Sequence, residues 1–142
     1  MKTLTLDVEY ECNFDLFGVV SSSREHTLAW QLNQALRLRL VKQQDLIHEL
    51  FSQGRLVISN YLHATEHLTL RLLRNRSIDP SVLRKPFLVP DVKEYDYLIQ
   101  VSNGSGALAA EPLLASLVAL PVVQYACQFD PNSLKCKENL LF

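Results

Sequence analysis

Residues 89–101, VPDVKEYDYLIQV, join a proline-bounded turn to a run of aromatic and branched side chains. Alternate residues of this run form a wholly apolar set, which consists of Tyr95, Tyr97, Ile99 and Val101. The residues between them form a mixed set, which consists of Asp96, Leu98 and Gln100. A period of two is the pattern of a β-strand with two different faces. We therefore predict a strand near the middle of a sheet, with the segments before and after it packed around it.

The first part of the chain has the pattern of strands followed by a helix. Residues 3–8 alternate apolar and polar side chains, and residues 14–20 are apolar on both faces, as in a buried strand. Ser22 and Glu25 have the spacing of a capping box, in which each side chain bonds to the other's backbone. Apolar residues then recur at helical spacing up to Leu36. This part therefore predicts two strands and one capped helix.

The next part predicts a hairpin. Residues 45–51 fit either a strand or one helical turn. Residues 56–62 and 68–72 each place leucine or isoleucine on one face, and residues 64–66 between them have the length of a short hairpin loop. We read residues 56–72 as an antiparallel hairpin.

The remaining segments are a connector, a helix, a strand and a tail. Residues 75–91 contain three prolines, which remove backbone donors and favour extended conformations, so they predict an irregular connector. The Glu111–Pro112 pair suits the first turn of a second helix. Residues 123–129 alternate as a last strand, and the tail from Leu134 to Phe142 ends in apolar residues. We expect this tail to dock on the domain or on a neighbouring copy.

This order of elements predicts an α+β fold. The expected architecture is a two-layer sandwich, with a mostly antiparallel sheet, two helices on one face, and a ferredoxin-like plan with an added hairpin. One domain spans residues 1–142. The free face of such a sheet often mediates self-association, so we also predict a homodimer.

Composition narrows the class of protein. The chain has 142 residues, 48% hydrophobic and 20% charged, with a formal net charge of −1. This composition is that of a soluble globular domain, and its balance gives no basis for predicting a nucleic-acid or membrane partner. Three cysteines at unrelated spacings predict neither disulfides nor a thiolate metal site. Since Asp7 comes too early for a signal peptide, we predict a cytoplasmic protein, in which the glycosylation pattern at Asn75 has no role.

Three parts of the sequence resemble the IPExxxVDY family of small bacterial proteins. Residues 89–97 resemble its naming motif, with Val89, Asp91 and Tyr95 in place of isoleucine, glutamate and valine. Residues 30–36 and 137–142 look like that family's helix and C-terminus. The family has no assigned activity, so the resemblance implies a small cytosolic bacterial protein and no catalytic residues.

The sequence HATEH at residues 63–67 matches the inverted zinc-protease motif His-x-x-Glu-His. On a helix, His63 and His67 would bind a metal ion from one face, with Glu66 as general base. Strand-like alternation in residues 68–72 favours instead two histidines beside a hairpin turn. We therefore assign no metal ligand, and keep His63 and His67 as the candidates for one.

Other candidate binding residues lie on the central strand and the first helix. Asp96 and Tyr97 are candidates because they are polar groups on or beside a buried strand. Trp30 is a third candidate because it lies off the main apolar stripe of its helix. The glycine-rich residues 103–106 lack the complete pattern of a phosphate-binding loop. The basic residues within 71–85 leave a local anion or RNA contact open, but they lack interleaved aromatics and are more typical of a solvated sheet edge.

These observations predict a non-enzymatic domain that binds a protein or a small ligand, without a cofactor. The alternative is a small metal-dependent hydrolase that uses His63, Glu66 and His67.

Overall fold

The structure is a computed structural model that describes residues 13–50, 54–78, 86–103, 108–134 and 137–140. Its helices are α1 (Glu25–Leu36) and α2 (Ala110–Ala119). Its strands are β1 (Asp15–Val20), β2 (Val41–Lys42), β3 (Leu46–Leu50), β4 (Gly54–Ile58), β5 (Asn60–Ala64), β6 (Thr69–Arg74), β7 (Tyr97–Ser102) and β8 (Tyr125–Phe129). Short 3-10 turns occupy Pro90–Val92, Pro131–Ser133 and Lys137–Leu140. Neither described helix is long and apolar enough to span a bilayer.

The main sheet has six strands in the order β2-β5-β6-β7-β1-β8, and all its neighbours are antiparallel. The four strands β6-β7-β1-β8, with α1 after β1 and α2 after β7, form the ferredoxin-like arrangement. Strand β5 and the short β2 extend this sheet beyond β6. The α+β prediction is therefore confirmed, and the predicted central strand is β7, with strands on both sides.

The hairpin prediction is confirmed in its second half and wrong in its first. The strands β5 and β6 pair from Asn60 with Leu73 to Ala64 with Thr69, and the turn lies between them. The strand predicted over residues 56–62 is broken at Ser59 into β4 and β5. Strand β4 pairs with β3 in a separate two-stranded sheet, so residues 46–50 form a strand rather than a helical turn.

One face of the main sheet packs on the two helices. Its core contains Phe17 and Val19 of β1, Leu28 and Leu32 of α1, and Leu117 of α2, and all five have no solvent exposure. Burial of a leucine or phenylalanine side chain stabilises the fold by about 1.5–3 kcal/mol. Both helices lie on one face, as predicted.

The other face of the sheet is also covered. Leu16 and Leu98 point to this side and pack with Ile58 of β4, Val89 of the connector and Leu140 of the tail. The homodimer prediction took this face to be free, and within the described residues it is not. Tyr95, which the sequence pattern placed on one face with Tyr97, Ile99 and Val101, precedes β7 and packs instead on this second core. Its ring lies edge-to-face with that of Phe129, at 5.0 Å between ring centroids.

The predicted capping box is wrong. The N-cap of α1 is Arg24, and no side chain caps it. The Ser22 N–H donates to Gln124 Oε1 at 3.0 Å, while the Glu25 carboxylate contacts the Ser59 hydroxyl instead of returning to Ser22. The long-range polar partners therefore displace the local ones.

The tail docks on this domain over residues 137–140. Leu140 is fully buried, and its carbonyl accepts a hydrogen bond from Gln100 Nε2 at 2.8 Å. The predicted strand at residues 3–8, most of the 103–106 loop, and the basic residues Arg84 and Lys85 lie outside the described residues.

Candidate functional site

A cleft of about 370 Å³ opens where three segments of the main sheet meet. Its walls are residues 21–23 between β1 and α1, residues 74–76 at the end of β6, and residues 95–97 at the start of β7, with Phe87 and Lys93 from the connector. These segments come together because each lies at the end of one of the strands β6, β7 and β1, which are consecutive neighbours in the sheet. The cleft is therefore a product of the sheet order.

Asn75 fixes the connector that forms one wall of the cleft. Its side-chain Nδ2 donates to the carbonyls of Val92 and Tyr95, both at 3.1 Å, and its Oδ1 accepts from the Val89 N–H at 2.9 Å. Its own N–H donates to the Asp96 carbonyl at 2.9 Å. Asn75 is 1% exposed, so these bonds form away from water. A buried amide with every bond satisfied specifies one path for a segment that has no regular structure.

Asp96 and Tyr97, two of the predicted binding residues, line the cleft and hold the opposite wall in place. Asp96 Oδ2 accepts a hydrogen bond from the Ser21 N–H at 2.9 Å. The Tyr97 hydroxyl donates to the Ser23 carbonyl at 2.7 Å, and burial raises the pKa of Tyr97. Both residues thus connect β7 to the loop that leads into α1.

Three basic side chains surround the cleft: Arg74, Arg76 and Lys93. All three are exposed, and the Arg76 guanidinium lies over the Phe87 ring at 5.7 Å from its centroid. Within the described part of the chain, none of the three forms an ion pair. Asp96 is the only carboxylate among the described residues that line the cleft, so these residues carry a formal charge of +2 in a chain of charge −1.

The described basic residues of the stretch 71–85 lie in two different places in the structure. Arg74 and Arg76 line the cleft, whereas Arg71 points elsewhere and donates to Asn60 Oδ1 at 2.9 Å. The sequence pattern indicated a solvated edge because it does not show that Lys93, far along the chain, lies beside the arginines.

A second polar cluster lies at the break between β4 and β5. The Glu25 carboxylate contacts the Ser59 hydroxyl, and Lys42 Nζ donates to the same hydroxyl at 2.6 Å. Burial raises the pKa of Glu25, against the opposing effects of the Ser59 hydrogen bond and of the Lys42 and Arg74 charges. Lys42 is also paired with Asp45 at 3.2 Å. Ser59 is 6% exposed, so this cluster joins α1 to the sheet and offers little access to a substrate.

The histidine motif does not form a helix. His63 belongs to β5, and its Nδ1 accepts the Arg39 N–H at 3.0 Å, while His67 lies in the turn before β6. The inverted protease motif needs both histidines on one helical face. No group of three or more metal-ligating side chains occurs among the described residues. The geometry required by the hydrolase alternative is therefore not present at residues 63–67.

Trp30, the third predicted binding residue, is separate from the cleft. It lies on α1 with 59% of its surface exposed, while Leu28, Ala29 and Leu32 form the buried side of that helix. Sequence reasoning thus identified two residues of the cleft, Asp96 and Tyr97. It noted Arg74 and Arg76 but interpreted them as a solvated edge, and it did not single out Asn75 or Lys93. An asparagine at the start of a proline-rich connector is a known turn signal that could have identified Asn75.

A scan against protein-family models found no matching family, and searches of curated proteins and of solved structures also found no match.

Proposed function

We propose that this protein is a non-enzymatic binding domain that holds a small anionic ligand in the cleft between residues 21–23, 74–76 and 95–97. The observation that carries this proposal is the group of three basic side chains without an ion-pair partner in the described chain. Like charges held close together repel, and a bound anion relieves that repulsion. The proposed attraction between the cleft and its ligand is thus electrostatic.

The size and composition of the cleft support a small ligand. Sites for small molecules typically measure about 300–1,000 Å³, and this cleft lies at the lower end of that range, at about 370 Å³. A peptide or nucleic-acid strand would need a longer groove. The rings of Phe87 and Tyr95 add apolar surface beside the charged groups.

The side chains at the cleft favour binding over catalysis. Among the described residues that line it there is no histidine or cysteine, and the one carboxylate, Asp96, already accepts from the Ser21 N–H. A serine nucleophile needs a base within hydrogen-bond reach, and the Ser21 hydroxyl donates instead to the Val122 carbonyl at 2.5 Å. We therefore propose recognition of the ligand without chemical conversion.

The location, the family and the oligomeric state of the protein remain predictions from the sequence. We propose membership of the IPExxxVDY family, because of the motif at residues 89–97. We also propose a cytoplasmic location, because the three cysteines do not have the spacing of a disulfide framework. Homodimerisation also stays a prediction, but it now requires a surface other than the covered face of the sheet.

An NMR titration of the ¹⁵N-labelled protein tests the binding proposal. Acetate, sulfate and phosphate are each added at constant ionic strength, with chloride as the balancing ion. We expect saturable shifts of the backbone amides of residues 74–76 and of Lys93 for at least one of these anions. The variant Arg74→Gln should reduce that affinity at least threefold, while Arg55→Gln, the same change at an exposed position on β4, should not.

Shifts that never saturate, or that spread over the whole surface, would contradict the proposal. So would equal loss of affinity in the Arg74→Gln and Arg55→Gln variants, because that result would indicate a general effect of protein charge.

A further inference from the structure

We infer that the group bound in the cleft is the dianion of a phosphate monoester rather than a carboxylate. This inference rests on the proposed function, since it names the class of ligand for the same site. Its first support is charge: the three basic side chains and Asp96 leave a formal charge of +2. A phosphate monoester carries a charge of about −1.5 to −2 at neutral pH and matches this value, whereas a carboxylate carries −1.

The second support is the type of donor. Arg74 and Arg76 each present a planar fork of N–H groups, and Lys93 presents an ammonium. One guanidinium fork satisfies both oxygens of a planar carboxylate. Two forks and an ammonium suit a tetrahedral group whose several terminal oxygens point in different directions. The cleft thus has more donors than a carboxylate can use.

The position of Asp96 gives the bound group an orientation. Its carboxylate is held toward residues 21–23 by the bond from the Ser21 N–H, so it repels an anion placed on that side. The phosphate therefore sits toward the arginines and Lys93, and the uncharged part of the ligand lies toward Asp96. The variant Asp96→Asn keeps an oxygen acceptor for Ser21 and removes the negative charge, so it should strengthen binding of the probe methyl phosphate about threefold or more.

Titration of the ligand itself provides the test. Methyl phosphate gains its second negative charge near pH 6, whereas sulfate is a dianion throughout the range from about pH 5 to about pH 7.5. Affinities of the full chain for methyl phosphate, sulfate and acetate are measured by calorimetry or NMR across this range. We expect the ratio of the methyl phosphate affinity to the sulfate affinity to rise about tenfold from about pH 5 to about pH 7.5, because only methyl phosphate changes charge over this range.

The ratio separates the ligand's titration from that of the protein. The charged and titratable groups that face the bound anion are Arg74, Arg76, Lys93, Asp96, Tyr95 and Tyr97. Glu25 acts on Arg74 from α1, with Lys42 and Asp45 beside it. Changes in these groups affect both dianions alike and cancel in the ratio. The variant Glu25→Gln removes the one carboxyl among the described residues whose pKa is raised. In this variant the ratio of methyl phosphate affinity to sulfate affinity should keep its pH dependence.

The outcomes distinguish the two proposals. If acetate binds as tightly as methyl phosphate, or if the ratio to sulfate does not change with pH, the phosphate assignment is wrong while anion binding stands. If none of the three anions shifts the amides of residues 74–76 and of Lys93, both proposals are wrong. A rising ratio, with acetate at least tenfold weaker near pH 7.5, supports both.

Discussion

Asn75 is buried and makes five hydrogen bonds, three of them through its side chain. These bonds join the end of β6 to the connector and to the residues before β7. The same residue belongs to a glycosylation pattern in the sequence, but its amide is enclosed by backbone groups at the base of the cleft. Its role in this structure is to hold the backbone of the cleft wall.

The variant Asn75→Asp tests this role. The carboxylate would lose two N–H donors and face the carbonyls of Val92 and Tyr95, so we expect the free energy of unfolding to fall by about 3 kcal/mol. Chemical denaturation measures the change. Gln44→Glu, the same amide-to-carboxylate change at an exposed position, is the control and should cost less than about 0.5 kcal/mol. Equal effects of the two changes would contradict the assigned role.

Glu25 predicts a pH dependence of stability. Burial raises its pKa in the folded protein above the ordinary value of 4.5, so the folded state binds this proton more tightly than the unfolded state does. Its contribution to stability is therefore present at low pH and is lost as pH rises above 4.5 through the raised pKa. Glu25→Gln should gain stability relative to the wild type over this rise, as measured by urea denaturation at a series of pH values.

The control for Glu25→Gln is Glu111→Gln, on the exposed side of α2. A stability difference between Glu25→Gln and the wild type that stays constant with pH, or that changes in the opposite direction, would show that burial does not govern this carboxyl.

At the residue scale, the sequence predicts which residues lie at the cleft better than it predicts the hydrogen-bond partners of individual side chains. Asp96 and Tyr97 were identified because polar groups beside a buried strand are unusual, and the structure places both at the cleft. The capping box was wrong because Ser59 and Gln124 compete for the side chain of Glu25 and the N–H of Ser22. A local pattern contains no information about partners far along the chain.

Strand β1 shows how tightly the elements pack near the second core. A Cβ added to Gly18 would clash with the ring of Phe129 and lie 2.7 Å from Tyr95 Cδ2. Those two rings already pack edge-to-face, so neither can move without losing contact with the other. Gly18→Ala should therefore lower the free energy of unfolding by about 2 kcal/mol.

Denaturation of Gly18→Ala, alone and with Phe129→Leu, checks this prediction. The smaller leucine leaves room for the new methyl group, so the double variant should lose less stability than the two single changes added together. Simple additivity would contradict the proposed clash.

At the element scale, periodicity predicted the strands, the helices and the β5–β6 turn. It did not predict the break at Ser59, because Leu56, Ile58 and Leu62 share one face of a single strand pattern in which only Asn60 is polar. The two halves of this run pair with different strands, β3 and β6, and only the tertiary structure decides which partner each half takes. The sequence pattern left residues 45–51 open for the same reason.

At the scale of the whole molecule, the sheet has cover on both faces. The helices cover one face, and β4, the connector and the tail cover the other. The tail was expected to dock because its residues are apolar, but the pattern alone did not give its docking face. That face is set by the bonds from Gln100 to the Leu140 carbonyl and from Asn139 Nδ2 to the Leu88 carbonyl, the latter at 2.9 Å.

The variant Leu140→Ala measures how much the tail contributes to the domain. Leu140 has no solvent exposure, so its truncation should cost about 3 kcal/mol through lost burial and a cavity. Val118→Ala, at a position 54% exposed on α2, is the matched control. Thermal or chemical unfolding of both variants gives the comparison, and a near-neutral Leu140→Ala would mean that the second core does not depend on the tail.

The most direct test of the anion-binding cleft is the dissociation constant for inorganic phosphate near neutral pH, measured by calorimetry. Three proteins are compared: the wild type, Arg76→Gln with Lys93→Gln at the cleft, and Arg39→Gln with Arg55→Gln at exposed positions elsewhere. Both variants lose two positive charges. We predict that the cleft variant binds phosphate at least about tenfold more weakly, a loss of about 1.4 kcal/mol, while the control stays within about twofold of the wild type. Equal affinities in all three proteins would contradict an anion site in this cleft.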